Sequence, residues 1–142
     1  MPQVKKFYRE LEHAGDLAIE VFGGTRAELF AHALTAMARL MVEEKGIGNV
    51  ARQEYECAAA DDLDLMHDVL ARALNLFLID GFMWREAKVE EKSRDRLLIT
   101  LCGEQYDPSR HRFLREIKGV TFHRLFTGRG RDGWRAEIIF DV

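Results

Sequence analysis

Glu116-Ile117-Lys118-Gly119-Val120-Thr121-Phe122-His123 and, after a Gly-rich interval, Trp134-Arg135-Ala136-Glu137-Ile138-Ile139-Phe140-Asp141-Val142 read as the two arms of a closing β-hairpin. In the second arm Trp134, Ala136, Ile138, Phe140 and Val142 share one face while Arg135, Glu137 and Asp141 share the other, the period-two pattern of a half-buried strand. The interval Gly128-Arg129-Gly130-Arg131-Asp132-Gly133 suits a hairpin turn. No helix start follows it, so it lacks the backbone N–H cluster of a phosphate cradle. The sequence ends within the second arm, which is expected to set the carboxylate of Val142 beside that of Asp141 at the rim of a sheet.

Outward from this hairpin the same alternation marks further strands. Phe7 to Glu12 reads as a first strand, Leu17 to Phe22 as a second and Gln53 to Ala60 as a third, with Tyr55 and Cys57 on one face. Phe82 to Val89 and Arg96 to Cys102 read as an antiparallel pair joined by the polar turn Glu90 to Asp95. Two segments break the pattern with three-to-four spacing. Thr25-Arg26-Ala27-Glu28 has capping-box form, and Leu29, Phe30, Ala33, Leu34, Met37, Leu40 and Met41 make one apolar stripe ending near Lys45-Gly46. Asp61 or Asp62 caps a second helix with the stripe Leu63, Met66, Val69, Leu70, Ala73, Leu74, Phe77 and Leu78, closed by Asp80-Gly81. This second stripe is the more apolar and predicts the central helix. Two one-sided helices and several half-buried strands imply an α+β two-layer sandwich, with an antiparallel or mixed sheet and helices packed on it. Residues 1–142 are expected to form a single domain.

Composition narrows the function classes. A net charge of −3 and a pI near 6.0 argue against a dedicated nucleic-acid binder, which needs an excess of Lys and Arg on one face, so any RNA contact is expected to be indirect. No apolar run approaches a membrane span and no signal-peptide segment precedes the first strand, which predicts a cytoplasmic protein. Cys57 and Cys102 lack metal or redox spacing and read as reduced core thiols.

No nucleophile elbow, Walker loop or zinc-helix motif is present. His32 and His67 fall beside apolar stripes and read as packing or surface residues, and His111 lies in a polar loop with a turn-forming Asp107-Pro108. His13 and His123 occupy strand or strand-end positions and could line a sheet rim. Asp61, Asp62 and Asp64 cap a helix; the central Gly and final Glu of an EF-hand are missing. Asp16 stands apart, an acidic residue after Gly15 at the opening of a strand with no cap to make. A turn role is one reading. The other is that Asp16 faces Asp141 and Val142, where three carboxylates would repel unless protonated or bridged by a hard cation with oxygen ligands.

The segment from Phe7 to Ile19 containing His13-Ala14-Gly15-Asp16, the helix opening Thr25 to Phe30, the loop Tyr106 to His111, the strand Glu116 to His123 and the closing Ile138 to Val142 together resemble the archease family across essentially the whole chain. That resemblance implies a strand-helix-strand-strand type domain that activates the RtcB-type RNA ligase of tRNA splicing and RNA repair, promoting guanylylation and repeated turnover. The protein would then be a cofactor of the ligase rather than an enzyme. It also implies a site for calcium, or another divalent cation such as manganese, with Asp16, Asp141 and Val142 as ligands. Ala14-Gly15 stands where the family usually has Thr-Ala, and Phe122 where it has Tyr. These departures remove two hydroxyls and leave the proposed carboxylates intact. The alternatives are a small metal-dependent enzyme and a metal-free, chaperone-like binding module.

Overall fold

The structure, a computed structural model, describes residues 7–11, 15–130 and 133–142, with the side chains of 122–130 excepted. Seven strands and two helices follow in the order β1 (Tyr8–Leu11), β2 (Leu17–Gly23), α1 (Arg26–Met41), β3 (Ala51–Ala58), α2 (Asp62–Asp80), β4 (Phe82–Ser93), β5 (Arg96–Gln105), β6 (Gly119–Gly130) and β7 (Gly133–Asp141). The α+β class and both helices are as expected, and every strand pairing is antiparallel. The strands divide into two sheets, a four-stranded one ordered β1-β2-β7-β6 and a three-stranded one ordered β3-β5-β4. Each helix touches both sheets: α1 packs on β4 and on β2 and β7, while α2 packs on β6 and on β3 and β4.

The helix ends show local chemistry yielding to tertiary contacts. Thr25 Oγ1 accepts from Glu28 N at 3.1 Å, but the Glu28 carboxylate reaches Gly24 N at 3.0 Å rather than the Thr25 amide, so the capping box closes one residue further out. α1 stops at Met41, short of Lys45-Gly46, because Val42 adopts an extended conformation and bridges Phe113 while the Met41 carbonyl accepts Leu114 N at 2.7 Å. At α2, Asp61 accepts from Leu63 N at 2.6 Å. Gly81 ends that helix at φ 72°, and its N–H returns to Phe77 O.

The more enclosed helix is α1, which buries nine side chains, rather than α2, which buries six. α1 lies against both sheets, whereas the last turn of α2 leaves Leu78 and Ile79 exposed. Trp84 and Phe30 are among the largest fully buried side chains, each expected to contribute about 1.5–3 kcal/mol on burial. The Trp84 indole also donates to Leu34 O at 3.0 Å, fastening β4 to α1.

β4 carries a bulge. Trp84 pairs with Gly103 and Glu86 with Cys102, leaving Arg85 as the extra residue. Opposite it, a Cβ on Gly103 would lie 2.0 Å from Met83 O, so only glycine fits. The β4–β5 hairpin also continues to Ser93, with a shorter turn than the sequence suggests. Among the described residues, no helix is long and apolar enough to cross a membrane.

Candidate functional site

β2 and β7 are the two interior strands of the four-stranded sheet, and their register carries Leu17 opposite Phe140. β2 begins at Leu17 and β7 ends at Asp141, so the strands meet at the same rim. Asp16 and Asp141 each lie one residue beyond the Leu17–Phe140 pair at this rim, Asp16 in the bend that precedes β2 and Asp141 at the end of β7. Asp16 and Asp141 are both exposed, and Val142 is 44% exposed. Val142 therefore does not extend the buried face of β7.

The backbone around the pair is held from both sides. Asp141 O accepts Lys118 N at 2.7 Å, and Gly119 pairs with Asp141 across β6. Gly15 has φ 78°, and a Cβ added there would meet nothing within 4 Å, so glycine serves at this position for its backbone conformation and not for tight packing. The turn at Gly15 leads straight into Asp16.

Among the described residues no group of three or more His, Cys, Asp or Glu side chains is placed to hold a metal ion. The donors the rim offers are the carboxylates of Asp16 and Asp141 and the oxygens of Val142. Among the described residues this set is all oxygen, which suits a hard cation such as calcium or manganese, with water completing the coordination. His13 lies outside the described residues, as does the side chain of His123.

The other histidines are structural, one of them unexpectedly so. His32 Nδ1 lies 2.6 Å from Phe22 O, and His67 Nε2 lies 3.0 Å from Val120 O. His111, expected in a polar loop, is buried beside Glu104, which is also buried. Asp107 N donates to His111 Nδ1 at 2.9 Å, which puts the neutral ring's proton on Nε2. That atom is 3.3 Å from Glu104 Oε2 but off the line of a hydrogen bond. Glu104 in turn accepts from Arg110 Nη2 and from Gly48 N, and these donors, Arg110 foremost, pull its carboxyl down to about 2. The group pins the loop after β5 to the connector before β3. Sequence spacing held no signal for it, because Gly48, Glu104 and Arg110 meet only in the fold.

A second ionic centre ties three strands together. Glu20 on β2 accepts from Arg9 on β1 at 2.7 Å and from Arg135 on β7 at 2.6 Å. Burial raises its pKa, yet the two arginines outweigh burial and leave it lowered. Cys57 is buried as expected, and Cys102 is only half-buried; both are free thiols. Burial, with the Asp68 carboxylate beside it, pushes the Cys57 thiol up to about 12.

Comparison with known proteins places these features in a family context. The model of the Archease protein family matches residues 8–142. The chain is 34% identical to the protein archease of Methanosarcina acetivorans over 147 residues, covering 100% of both proteins. It is 32% identical to that of Methanosarcina barkeri, covering 96% of this chain and 97% of the relative. Its fold is similar to the solution structure of Methanobacterium thermoautotrophicum protein 1598, with a TM-score of 0.79 at 23% identity over 97% of this chain and 100% of that one. It is also similar to a Thermotoga maritima archease described as a possible chaperone, with a TM-score of 0.64 at 21% identity over 100% of both chains.

Proposed function

The chain belongs to the archease family, and from that premise we propose that it is a protein activator of an RtcB-type RNA ligase in tRNA splicing and RNA repair, working through a divalent-cation site at Asp16, Asp141 and Val142. The observation that supports the reading is the β2–β7 register, whose last pair Leu17–Phe140 leaves the exposed Asp16 and Asp141 each one residue further out at the same rim. Asp16 and Asp141 would hold the cation, and the strand hydrogen bonds at Asp141 would keep its carboxylate oriented. When bound, a calcium-type ion supplies concentrated positive charge suited to ordering phosphate oxygens. Exposure at the rim lets these residues be presented to another protein's active site.

A helper role, with nucleotidyl transfer left to the ligase, is supported by the sequence, which carries no nucleophile elbow, Walker loop or zinc-helix motif. The net charge of −3 supports RNA contact through the ligase rather than directly. The test is multiple-turnover RNA ligation by purified ligase, with and without this protein. Substoichiometric wild-type protein is expected to speed ligase guanylylation, and Asp16→Ala and Asp141→Ala to abolish that effect while folding normally. GTP-dependent self-labelling of this chain would overturn the helper role. Normal activation by both folded variants would remove the acidic rim from the mechanism and leave a metal-free binding module.

A further inference from the structure

An open cleft of about 370 Å³ lies between α1 and β4, lined by Thr35, Arg39, Arg85, Glu86, Ala87 and Lys88. It shares no residue with the Asp16–Asp141 rim and lies at the small end of ligand sites, which span roughly 300–1,000 Å³. Three of its lining residues are cationic and one is anionic, in a chain whose net charge is −3.

The fold brings these cations close together. Thr35 and Arg39 are one helical turn apart on α1 and share a face. Arg85 is the extra residue of the β4 bulge, a device that re-aims a side chain at the cost of one ladder pairing. The bulge is possible because Gly103 lacks a side chain opposite it. Glu44 reaches both guanidinium groups, its Oε2 3.1 Å from Arg39 Nη2 and its Oε1 3.7 Å from Arg85 Nε, while Arg85 Nη1 lies 3.3 Å from Ile47 O. These contacts hold the two arginines together and leave other guanidinium N–H groups for a ligand.

Two further observations point to an oxyanion. Arg39 Nε is buried and has no acceptor among the described residues, an unmet donor of the kind that native structures seldom leave. Its guanidinium also lies over the Phe7 ring, 5.1 Å from the centroid, which restricts where its donors can turn. Lys88, on the opposite wall, has no carboxylate in ion-pair range among the described residues. In addition β4 is an edge strand, so half of its amide groups face away from β5.

We propose that this cleft binds a phosphate group, with Arg39 and Arg85 donating from their guanidinium forks and Lys88 supplying a point charge. Guanidinium N–H groups match the spacing of phosphate oxygens, and an ammonium adds charge without directional demand. The phosphate is that of a free nucleotide, since the net charge of −3 disfavours direct RNA contact; the backbone of single-stranded RNA has the same anionic chemistry and is distinguished by the experiment. The site is independent of the cation at the rim, so it stands or falls separately from the function proposed above.

The experiment is NMR titration of the isotopically labelled full chain with inorganic phosphate, a nucleoside triphosphate and a short single-stranded RNA, each without added divalent metal. Saturable shifts are expected at the Arg39 Nε–H and at the amides of Arg85 to Lys88. Lys88→Glu alters a surface side chain and is expected to weaken binding by roughly tenfold or more while leaving the melting temperature unchanged. Arg85→Gln serves as the second variant and is expected to act in the same direction. Tighter binding of the triphosphate assigns the site to a free nucleotide, and tighter binding of the RNA assigns it to a phosphodiester backbone. Absence of saturable shifts at the cleft with all three probes, or equal affinity in both variants, would overturn the proposal.

Discussion

Replacing Asp141 with Asn separates the rim as a metal site from the rim as a plain strand end, because the two roles predict stability changes of opposite sign. Asp16 and Asp141 each lie one residue beyond the Leu17–Phe140 pair, and carboxylates that share a cation from these positions would be held about 5 Å apart, the spacing of cross-strand neighbours. At that separation two unit charges in water repel by about 0.8 kcal/mol. Asn keeps the shape of Asp and removes the charge. Without divalent metal, Asp141→Asn should therefore be slightly more stable than wild type, with a melting point higher by about 2–3 °C for a domain of this size. With calcium at about one hundred times its dissociation constant, wild type should gain about 2.7 kcal/mol, or about 9 °C. The variant has lost one of the site's carboxylate ligands and should gain far less. The order of stability thus reverses between chelator and calcium. Scanning calorimetry of both proteins, in chelator and in a calcium or manganese series, reads this directly. If wild type does not respond to either metal, or if Asp141→Asn responds equally, the carboxylates do not form a cation site.

Other expectations follow from the structural centres around the rim. Glu104, drawn down to about 2 from an ordinary value of 4.5, should add stability that is fully present above about pH 4.5 and lost as pH falls from there toward 2; thermal melts across that range should show the loss, and Glu104→Gln should flatten it. Gly103→Ala would force a Cβ to within 2.0 Å of Met83 O and should destabilise the protein by about 1–3 kcal/mol or more, read by chemical denaturation. Cys57, buried with its thiol held near 12, should stay unmodified by a thiol reagent under native conditions, whereas half-buried Cys102 reacts first; mass spectrometry of the labelled peptides distinguishes them.

The legibility of the sequence followed the range of the interactions involved. Thr25 and Asp61 announced their helices because capping joins residues two or three positions apart. The alternation named Ala136, Ile138 and Phe140 as buried positions of β7, since strand periodicity is written in adjacent residues, whereas Trp134 is half-buried, Val142 is exposed and Ile139 of the other face is buried as well. Asp16 attracted attention for a local reason too, as an acid with no cap to make at a strand opening. By contrast, the early end of α1 depends on Phe113 and Leu114, far along the chain, which capture Val42 and the Met41 carbonyl. His111 looked like a loop residue because the burial that defines it comes from Glu104, Tyr106 and the docking of the whole loop.

Local pattern thus determined the α+β class, both helix starts and most strands. The tertiary structure alone decided that the strands form two sheets with helices touching both, and that α1 is the more enclosed helix. It also decided which distant residues meet, bringing the start of β2 and the end of β7 to one rim and gathering Arg39, Arg85 and Lys88 around one cleft. The physical reason is that propensity, capping and periodicity act through neighbouring residues, whereas sheet partners and ionic centres are selected by burial and register across the whole chain.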